Sequence, residues 1–276
     1  MRVFLHNLMR ELAGEAGSVQ DINDLTRFTT TEHDVARFTR LLGKSTEYAT
    51  PSEVAQVRPD IQASLAAAQS GLAITKTHLF NGIDCGHPTI NDEVTRAAIY
   101  LVRNPLDVAI SYAHHSGESV DAVIDAMNTW DYRIPSSPNG VSQMLGTWSQ
   151  HAKSWCTGTP FPICVVRYED LLHDPARAFG RIAGFLGLRP GMSMLTTAIG
   201  NSEFRALAQQ ERENGFVERP PSSHRFFREG RAGQWKTLLS PEQTKSLVRA
   251  HGSVMAKMGY GVSNIAAPTQ QKGMGR

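Results

Sequence analysis

Residues 100–112 of the chain read YLVRNPLDVAISY. The run up to residue 102 is apolar without alternation, as in a strand that is covered on both faces. The next residues change the pattern, because Asn104 is favoured as a helix cap and Pro105 is favoured at the first helical position. The stretch therefore predicts a buried strand that turns directly into a helix.

A helix start of this kind attracts anions, since its exposed amides and the helix dipole favour negative charge. Arg103 adds a planar, two-pronged donor for a phosphate, and Ser111 adds a hydroxyl within two turns. An alternative stays open on spacing alone: Arg103 pairs with an acid such as Asp107, and Asn104 is only a cap. The stretch thus contains a candidate phosphate site.

Similar apolar runs occur at 72–75 and 163–166, and the run in the quoted stretch spans 97–102. None of the three alternates, which favours a parallel sheet with helices on both faces. The sequence therefore predicts an α/β fold, a three-layer αβα sandwich around a central parallel sheet, in one domain over residues 1–262. Residues 263–276 lack a hydrophobic period and predict a disordered tail. Helical patterns occur at 3–12, 31–42, 52–69, 105–115, 120–128, 141–155, 176–186 and 241–258.

The composition argues against partners that bind a whole charged surface. The 28 lysines and arginines nearly balance 26 acidic residues, for a formal net charge of +2. We therefore expect no nucleic-acid or membrane binding, and any anion site must be local. No apolar run approaches the roughly 20 residues of a membrane span, and His6 and Asn7 interrupt a signal-peptide pattern. The three cysteines lack metal-ligand spacing, so we expect free thiols, no metal and a cytoplasmic protein.

A second polar cluster follows the apolar run at 72–75. Lys76 and His78 lie where that strand would end, which is the sheet edge where α/β folds keep their sites. A histidine accepts a proton near neutral pH, and a lysine beside it can hold negative charge on a transferring group. The triplet alone is a weak signal, because most such loops are ordinary surface.

Two further segments contain candidate binding residues. Residues 228–236 read REGRAGQWK, in which the glycines let backbone amides turn toward an anion beside several cations. Tyr168 follows the apolar run at 163–166, where it is a candidate for nucleotide contact. Its alternative, a tyrosine packed at a strand end with its hydroxyl hydrogen-bonded, stays open.

These stretches together resemble the PAPS-dependent sulfotransferases of the cytosolic type and the bacterial sulfotransferase domains, whose fold is similar to that of the P-loop NTPases. Residues 100–112 resemble the segment that holds the 3′-phosphate of PAPS, KTHL at 76–79 resembles the catalytic segment, and 228–236 resemble the R-x-G-x-x-G-x-W-K element. The resemblance implies sulfuryl transfer from the co-substrate PAPS to a hydroxyl or amine of a small-molecule acceptor, with release of PAP.

The resemblance also implies a role for each matching residue. His78 would be the base that deprotonates the acceptor, and Lys76 would stabilise the transferring sulfuryl oxygens. No metal is implied, and a homodimer is allowed. The donor ligands implied are Arg103, Ser111, Tyr168, Arg228 and Gly230.

The chain departs from the family at its start. Family members begin with a strand and a P-K/R-S-G-T/N-T-W loop that holds the 5′-phosphosulfate, and residues 2–8 resemble the helix that follows this loop. We therefore expect that the loop and the first strand are missing and that the native start lies upstream. Two alternatives stay open: a truncated or pseudoenzyme form that binds PAP, PAPS or a partner without transfer, and a kinase that shares the fold. The absence of G-x-x-x-x-G-K-S/T counts against a kinase.

Overall fold

The structure, a computed structural model, describes residues 1–15, 21–69, 71–220 and 222–261. The predicted tail at 263–276 lies outside these residues. The helices are α1 (Arg2–Leu12), α2 (Leu25–Phe28), α3 (Val35–Leu42), α4 (Pro51–Ala67), α5 (Pro105–Ser116), α6 (Val120–Asn128), α7 (Trp148–Cys156), α8 (Tyr168–His173), α9 (Pro175–Phe185), α10 (Met192–Gly200), α11 (Phe204–Asn214), α12 (Trp235–Leu238) and α13 (Pro241–Lys257). The strands are β1 (Thr30–Thr31), β2 (Thr75–Lys76), β3 (Ile83–Asp84), β4 (His87–Pro88), β5 (Ala98–Val102), β6 (Arg133–Ile134), β7 (Gln143–Met144) and β8 (Ile163–Arg167).

Two pairs of strands are parallel. β5 pairs with β8, from Ala98 opposite Ile163 to Val102 opposite Arg167. β1 pairs with β2, and in the described part of the chain the two pairs form separate two-stranded sheets. β3 with β4 and β6 with β7 form short antiparallel ribbons. The predicted α/β class with parallel strands is confirmed, whereas the strand and loop expected upstream of Met1 stay a prediction.

Side chains of the β5–β8 pair alternate between two hydrophobic cores, because successive residues of a strand face opposite sides of a sheet. Tyr100 and Val102 enter a core formed with α5, α6, α7 and α13. Cys164 and Val166 enter a second core formed with α1, α9 and α10. Helices therefore cover both faces of the pair, which gives the three layers that the apolar runs predicted.

Several predicted element boundaries are wrong for local reasons. The helix predicted from residue 31 begins at Val35, because Asp34 caps it by accepting the amide of Arg37 at 3.2 Å. The helix predicted from residue 141 begins at Trp148, after a capping box that Thr147 makes with Gln150. The strand predicted at 72–75 lies at Thr75–Lys76, and α10 and α11 were not predicted. None of the described helices is long and apolar enough to cross a membrane.

Candidate active site

One large cavity, of about 1120 Å³, brings together most of the predicted site residues. It opens at the ends of β2 and β5, where the chain leaves the two parallel pairs. Tyr168 and Gly230 do not lie on its wall. The residues predicted from sequence that line it are Lys76, His78, Arg103, Ser111 and Arg228.

Arg103 leaves β5 at the start of α5 with no carboxylate partner among the described residues. Its Nη2 donates to the backbone carbonyl of Arg231 at 3.1 Å, and its guanidinium lies 4.5 Å from the ring centre of Tyr168. Asn104 caps the helix by accepting the amide of Leu106 at 3.0 Å. The charge of Arg103 is therefore directed into the site without being neutralised there.

The alternative in which Arg103 pairs with Asp107 is wrong. The buried Asp107 carboxylate instead accepts the amides of Gly233 at 2.6 Å and Trp235 at 3.1 Å. These bonds tie residues 228–235 to the first turn of α5. Sequence reasoning missed this contact, because the partners are more than 120 positions apart.

Arg228 and Gly230 lie in the segment that Asp107 holds. The Nη2 of Arg228 donates to the amide oxygen of buried Gln234 at 2.9 Å, and its Nη1 lies 3.5 Å from Glu229. Gly230 has a φ of +62°, and a Cβ at this position would overlap the ring of Phe204. Only glycine fits this turn. We refer to Arg103, Ser111 and Arg228 as the arginine cluster.

Residues 76–81, which we refer to as the lysine loop, begin at the last residue of β2. The Lys76 ammonium lies 3.1 Å from the carboxylate of Glu218, which also accepts two bonds from Arg2 at 2.8 and 2.5 Å. Burial raises the pKa of Glu218, but the bonds from Arg2 and the charge of Lys76 outweigh it and hold that pKa below its ordinary value. Lys76 therefore meets a fixed carboxylate in the cavity.

His78 lines the open cavity, where solvent reaches the residue although protein atoms surround it on most sides. Burial between the cavity walls and the charge of Lys76 lower the pKa of His78 to about 3. The ring is neutral at pH 7 with this pKa, and it would be mostly neutral even with the ordinary value near 6.5. A neutral imidazole beside a cation is able to accept a proton from a bound acceptor.

The sulfotransferase domain family matches residues 7–259. The chain belongs to this family. Human sulfotransferase 2B1 is 31% identical over 166 residues, which cover 58% of this chain and 44% of the human protein. Dog sulfotransferase 1B1 is 29% identical over 153 residues, or 53% of this chain and 50% of the dog protein. The chain spans about half the length of these curated relatives.

Solved structures share the fold of this sulfotransferase domain. A mouse sulfotransferase complexed with PAP has a TM-score of 0.51 and 20% identity, covering 66% of this chain and 65% of the mouse chain. Retinol dehydratase, in complex with androsterone and the inactive cofactor PAP, has a TM-score of 0.61 and 18% identity, covering 92% of this chain and 76% of the other. These likenesses confirm the fold.

Several residues of the candidate site were not predicted as functional. Glu218 meets Lys76, and Arg2 meets Glu218, only through contacts between distant parts of the chain. His33 lines the cavity with its ring 6.0 Å from that of His78. His114 and His115 also lie on the cavity wall.

The donor set of this cavity suits an anion better than a metal. Arg103 has no carboxylate partner, and the Ser111 hydroxyl makes no hydrogen bond to the part of the chain that the structure describes. Both are therefore available to a phosphate. Over the same residues, no group of three or more His, Cys, Asp or Glu is placed to hold a metal ion.

Proposed function

We propose that this sulfotransferase domain transfers a sulfuryl group from PAPS to a hydroxyl or amine of a small-molecule acceptor and releases PAP. The observation that carries the proposal is the shared cavity. It places a neutral imidazole, a lysine and two arginines around one space large enough for a nucleotide and an acceptor. These residues lie in the segments that resemble those of the family.

In the proposed reaction the acceptor oxygen or nitrogen attacks the sulfur of PAPS in line. The acceptor proton moves to His78, a new bond forms between the acceptor and sulfur, and the bond from sulfur to the 5′-phosphate oxygen breaks. Lys76 stabilises the charge on the sulfuryl oxygens, as a fixed cation does in phosphoryl transfer. PAP leaves with the electron pair of the broken bond.

The arginine cluster would hold the 3′-phosphate of the donor. Arg103 supplies two-pronged hydrogen bonds, Ser111 donates its hydroxyl, and Arg228 adds a second guanidinium. By the family resemblance, Tyr168 would approach the adenine, and Gly230 would turn a backbone amide toward the phosphate. The PAP present in the mouse sulfotransferase and in retinol dehydratase supports this assignment.

The proposal also covers the type of acceptor and the location of the protein in the cell. Androsterone, in the retinol dehydratase structure, supports a small-molecule acceptor for this chain. The three free thiols support a reducing, cytoplasmic location. The resemblance to bacterial sulfotransferase domains supports a bacterial-type protein. A homodimer would be tested by measuring the mass of the full chain in solution.

The proposal is tested with the full chain and PAPS that contains radiolabelled sulfate. Label should move to one or more members of a panel of phenols, alcohols and amines, with an equal amount of PAP released. Calorimetric titration with PAP measures donor-site binding separately. Absence of both PAP binding and transfer would overturn the proposed function.

A second candidate, a chain that binds PAP without transfer, is favoured by the contact between Lys76 and Glu218. This contact occupies the cation that the transfer step needs, while Arg103 of the arginine cluster has no carboxylate partner among the described residues. The two candidates differ in one outcome, because PAP binding without label on any acceptor supports the second and excludes the first.

A further inference from the structure

Helix α7 holds the backbone of the lysine loop through side chains on one face. The indole Nε1 of Trp155 donates to the carbonyl of Leu79 at 2.9 Å. One turn earlier on α7, the Nε2 of His151 lies 3.1 Å from the carbonyl of His78. Residues four apart on a helix share a face, so both contacts reach the same stretch of loop. Helix α7 therefore fixes the backbone that carries His78, the base proposed above.

The proton positions on His151 follow from its partners. A carbonyl oxygen only accepts, so Nε2 must carry the hydrogen that goes to His78. Burial lowers the pKa of His151, even though its backbone hydrogen bonds act in the opposite direction, so the ring is neutral and Nδ1 lacks a hydrogen. Nδ1 lies 3.1 Å from the hydroxyl of Tyr100, which must then donate. Burial raises the pKa of Tyr100, so its hydroxyl keeps the proton it donates.

This pair connects the two halves of the site. Tyr100 lies in β5, three residues before Arg103, and its ring stacks on that of His151 at 5.6 Å. The hydrogen bonds run from β5, the strand that directly precedes Arg103, through His151, to the backbone of His78. Each bond has one allowed direction, so the path has a single arrangement of protons.

We propose that His151, oriented by Tyr100, is a positioning residue. It sets the position of the His78 imidazole relative to β5 and the Arg103 that follows it. The proposal rests on the proposed function, since it concerns the base of that reaction. His151 does not itself exchange a proton with the acceptor. Its effect is geometric, and a displacement of about 1 Å at a reacting group costs on the order of 100-fold in rate.

The kinetic test compares two variants of the same residue. His151→Gln keeps an amide donor for the His78 carbonyl, whereas His151→Phe keeps the ring and removes the donor. We expect His151→Phe to lower kcat about 10- to 100-fold with the Kd for PAP within about twofold of wild type. We expect His151→Gln to recover kcat to within about threefold of wild type, because its donor is retained. Lys153→Ala, on the exposed side of α7, is the control.

Two kinetic results would overturn the inference: equal loss of kcat in both His151 variants, or no loss in either. A weakened Kd for PAP that matches the loss of kcat would also overturn it, because the residue would then act on donor binding or folding. If the wild-type chain transfers no label to any acceptor, the proposed function fails instead, and the spectroscopic test decides the inference.

The spectroscopic test needs no turnover. Long-range proton–nitrogen NMR spectra of the full chain at pH 7.5 should show His151 as the neutral tautomer with its hydrogen on Nε2. Tyr100→Phe should shift the Nδ1 resonance, because Nδ1 loses its donor, while the His78 carbonyl keeps the hydrogen on Nε2. A wild-type ring with the hydrogen on Nδ1, or a doubly protonated ring, would overturn the inference.

Discussion

The arginine cluster and the lysine loop line the same cavity but satisfy their charges in different ways. Arg103 donates to a backbone carbonyl and stacks on an aromatic ring, and it has no ion-pair partner among the described residues. Lys76 is paired with Glu218, which Arg2 holds in place. The arginine keeps its charge for an incoming phosphate, whereas the lysine must exchange a carboxylate for the sulfuryl oxygens. Donor binding and transfer should therefore respond to different substitutions.

The largest difference between the effect on transfer and the effect on PAP binding should come from His78→Asn. Loss of the base should lower the transfer rate about 100- to 10,000-fold. The affinity for PAP should stay within about twofold, because the arginine cluster is untouched. Steady-state transfer of labelled sulfate and calorimetry with PAP measure the two effects, with the exposed His173→Asn as control. Equal loss of PAP binding would contradict the comparison.

Arg103→Ala should weaken PAP binding at the arginine cluster. Two charge-assisted hydrogen bonds to a phosphate contribute about 1.5 to 3 kcal/mol each, so the Kd for PAP should rise at least about 100-fold. Calorimetry on the full chain measures this change. The exposed Arg189→Ala should leave the affinity unchanged. Unchanged affinity in the Arg103 variant would refute its assignment as a phosphate ligand.

Asp107→Ala should weaken the arginine cluster indirectly. The buried carboxylate holds two backbone amides of the segment that carries Arg228. Their loss should lower the free energy of unfolding by about 2 kcal/mol and raise the Kd for PAP about tenfold. Denaturant unfolding and calorimetry test this, with the exposed Asp60→Ala as control. A stable variant with normal affinity would show that the tie is dispensable.

The pH dependence of transfer tests the electrostatics of the lysine loop. His78 is neutral above its pKa of about 3, so kcat/KM should stay nearly constant as pH falls from 8 to 5.5. An imidazole with the ordinary pKa of about 6.5 would lose about tenfold in active form by pH 5.5. The pKa of Glu218 is lowered, so its pairing with Lys76 is retained over this range and is lost only as pH falls through that lowered pKa. A tenfold decline in kcat/KM would show that the cavity does not lower the pKa of His78.

The smallest effect should come from Glu218→Gln, which removes the carboxylate that Lys76 must leave. The pair is partly exposed, so its disruption is worth about 0.2 to 1 kcal/mol. The KM for PAPS should fall about two- to fivefold, while the Kd for PAP, which lacks the sulfuryl group, should not change. Glu213→Gln, at an exposed position, is the matched control. An increase in KM would show that Glu218 assists donor binding.

The sequence predicted the long strands well and the short strands poorly. Apolar runs located β5 and β8 within one residue of their ends, because strands covered on both faces need continuous apolar residues. The two-residue strand β1 was missed, since two residues are too few to form a period. Its placement beside β2 depends on hydrogen bonds between residues 45 positions apart. For α3 and α7, the hydrophobic period predicted helices that begin too early. The capping residues set the starts that the structure shows.

The candidate site likewise contains some residues that the sequence predicted and others that it did not. Lys76, His78 and Arg103 lie in local segments whose residue types and order match a family, so their chemistry was readable from the sequence. Glu218 gave no such signal, because a single glutamate in a polar segment has no distinctive pattern. His151 also went unrecognised, as its role depends on Tyr100, 51 positions away.

The sequence by itself determined the strand, turn and helix at residues 100–112, and with them an arginine at a helix start. It determined this because capping, helix periodicity and burial of a strand act between neighbouring residues. Only the tertiary structure decided that Lys76 is neutralised by Glu218 across 142 positions, whereas Arg103 has no such partner. The pairing of distant charges depends on where the chain returns, and packing of the whole domain sets that return.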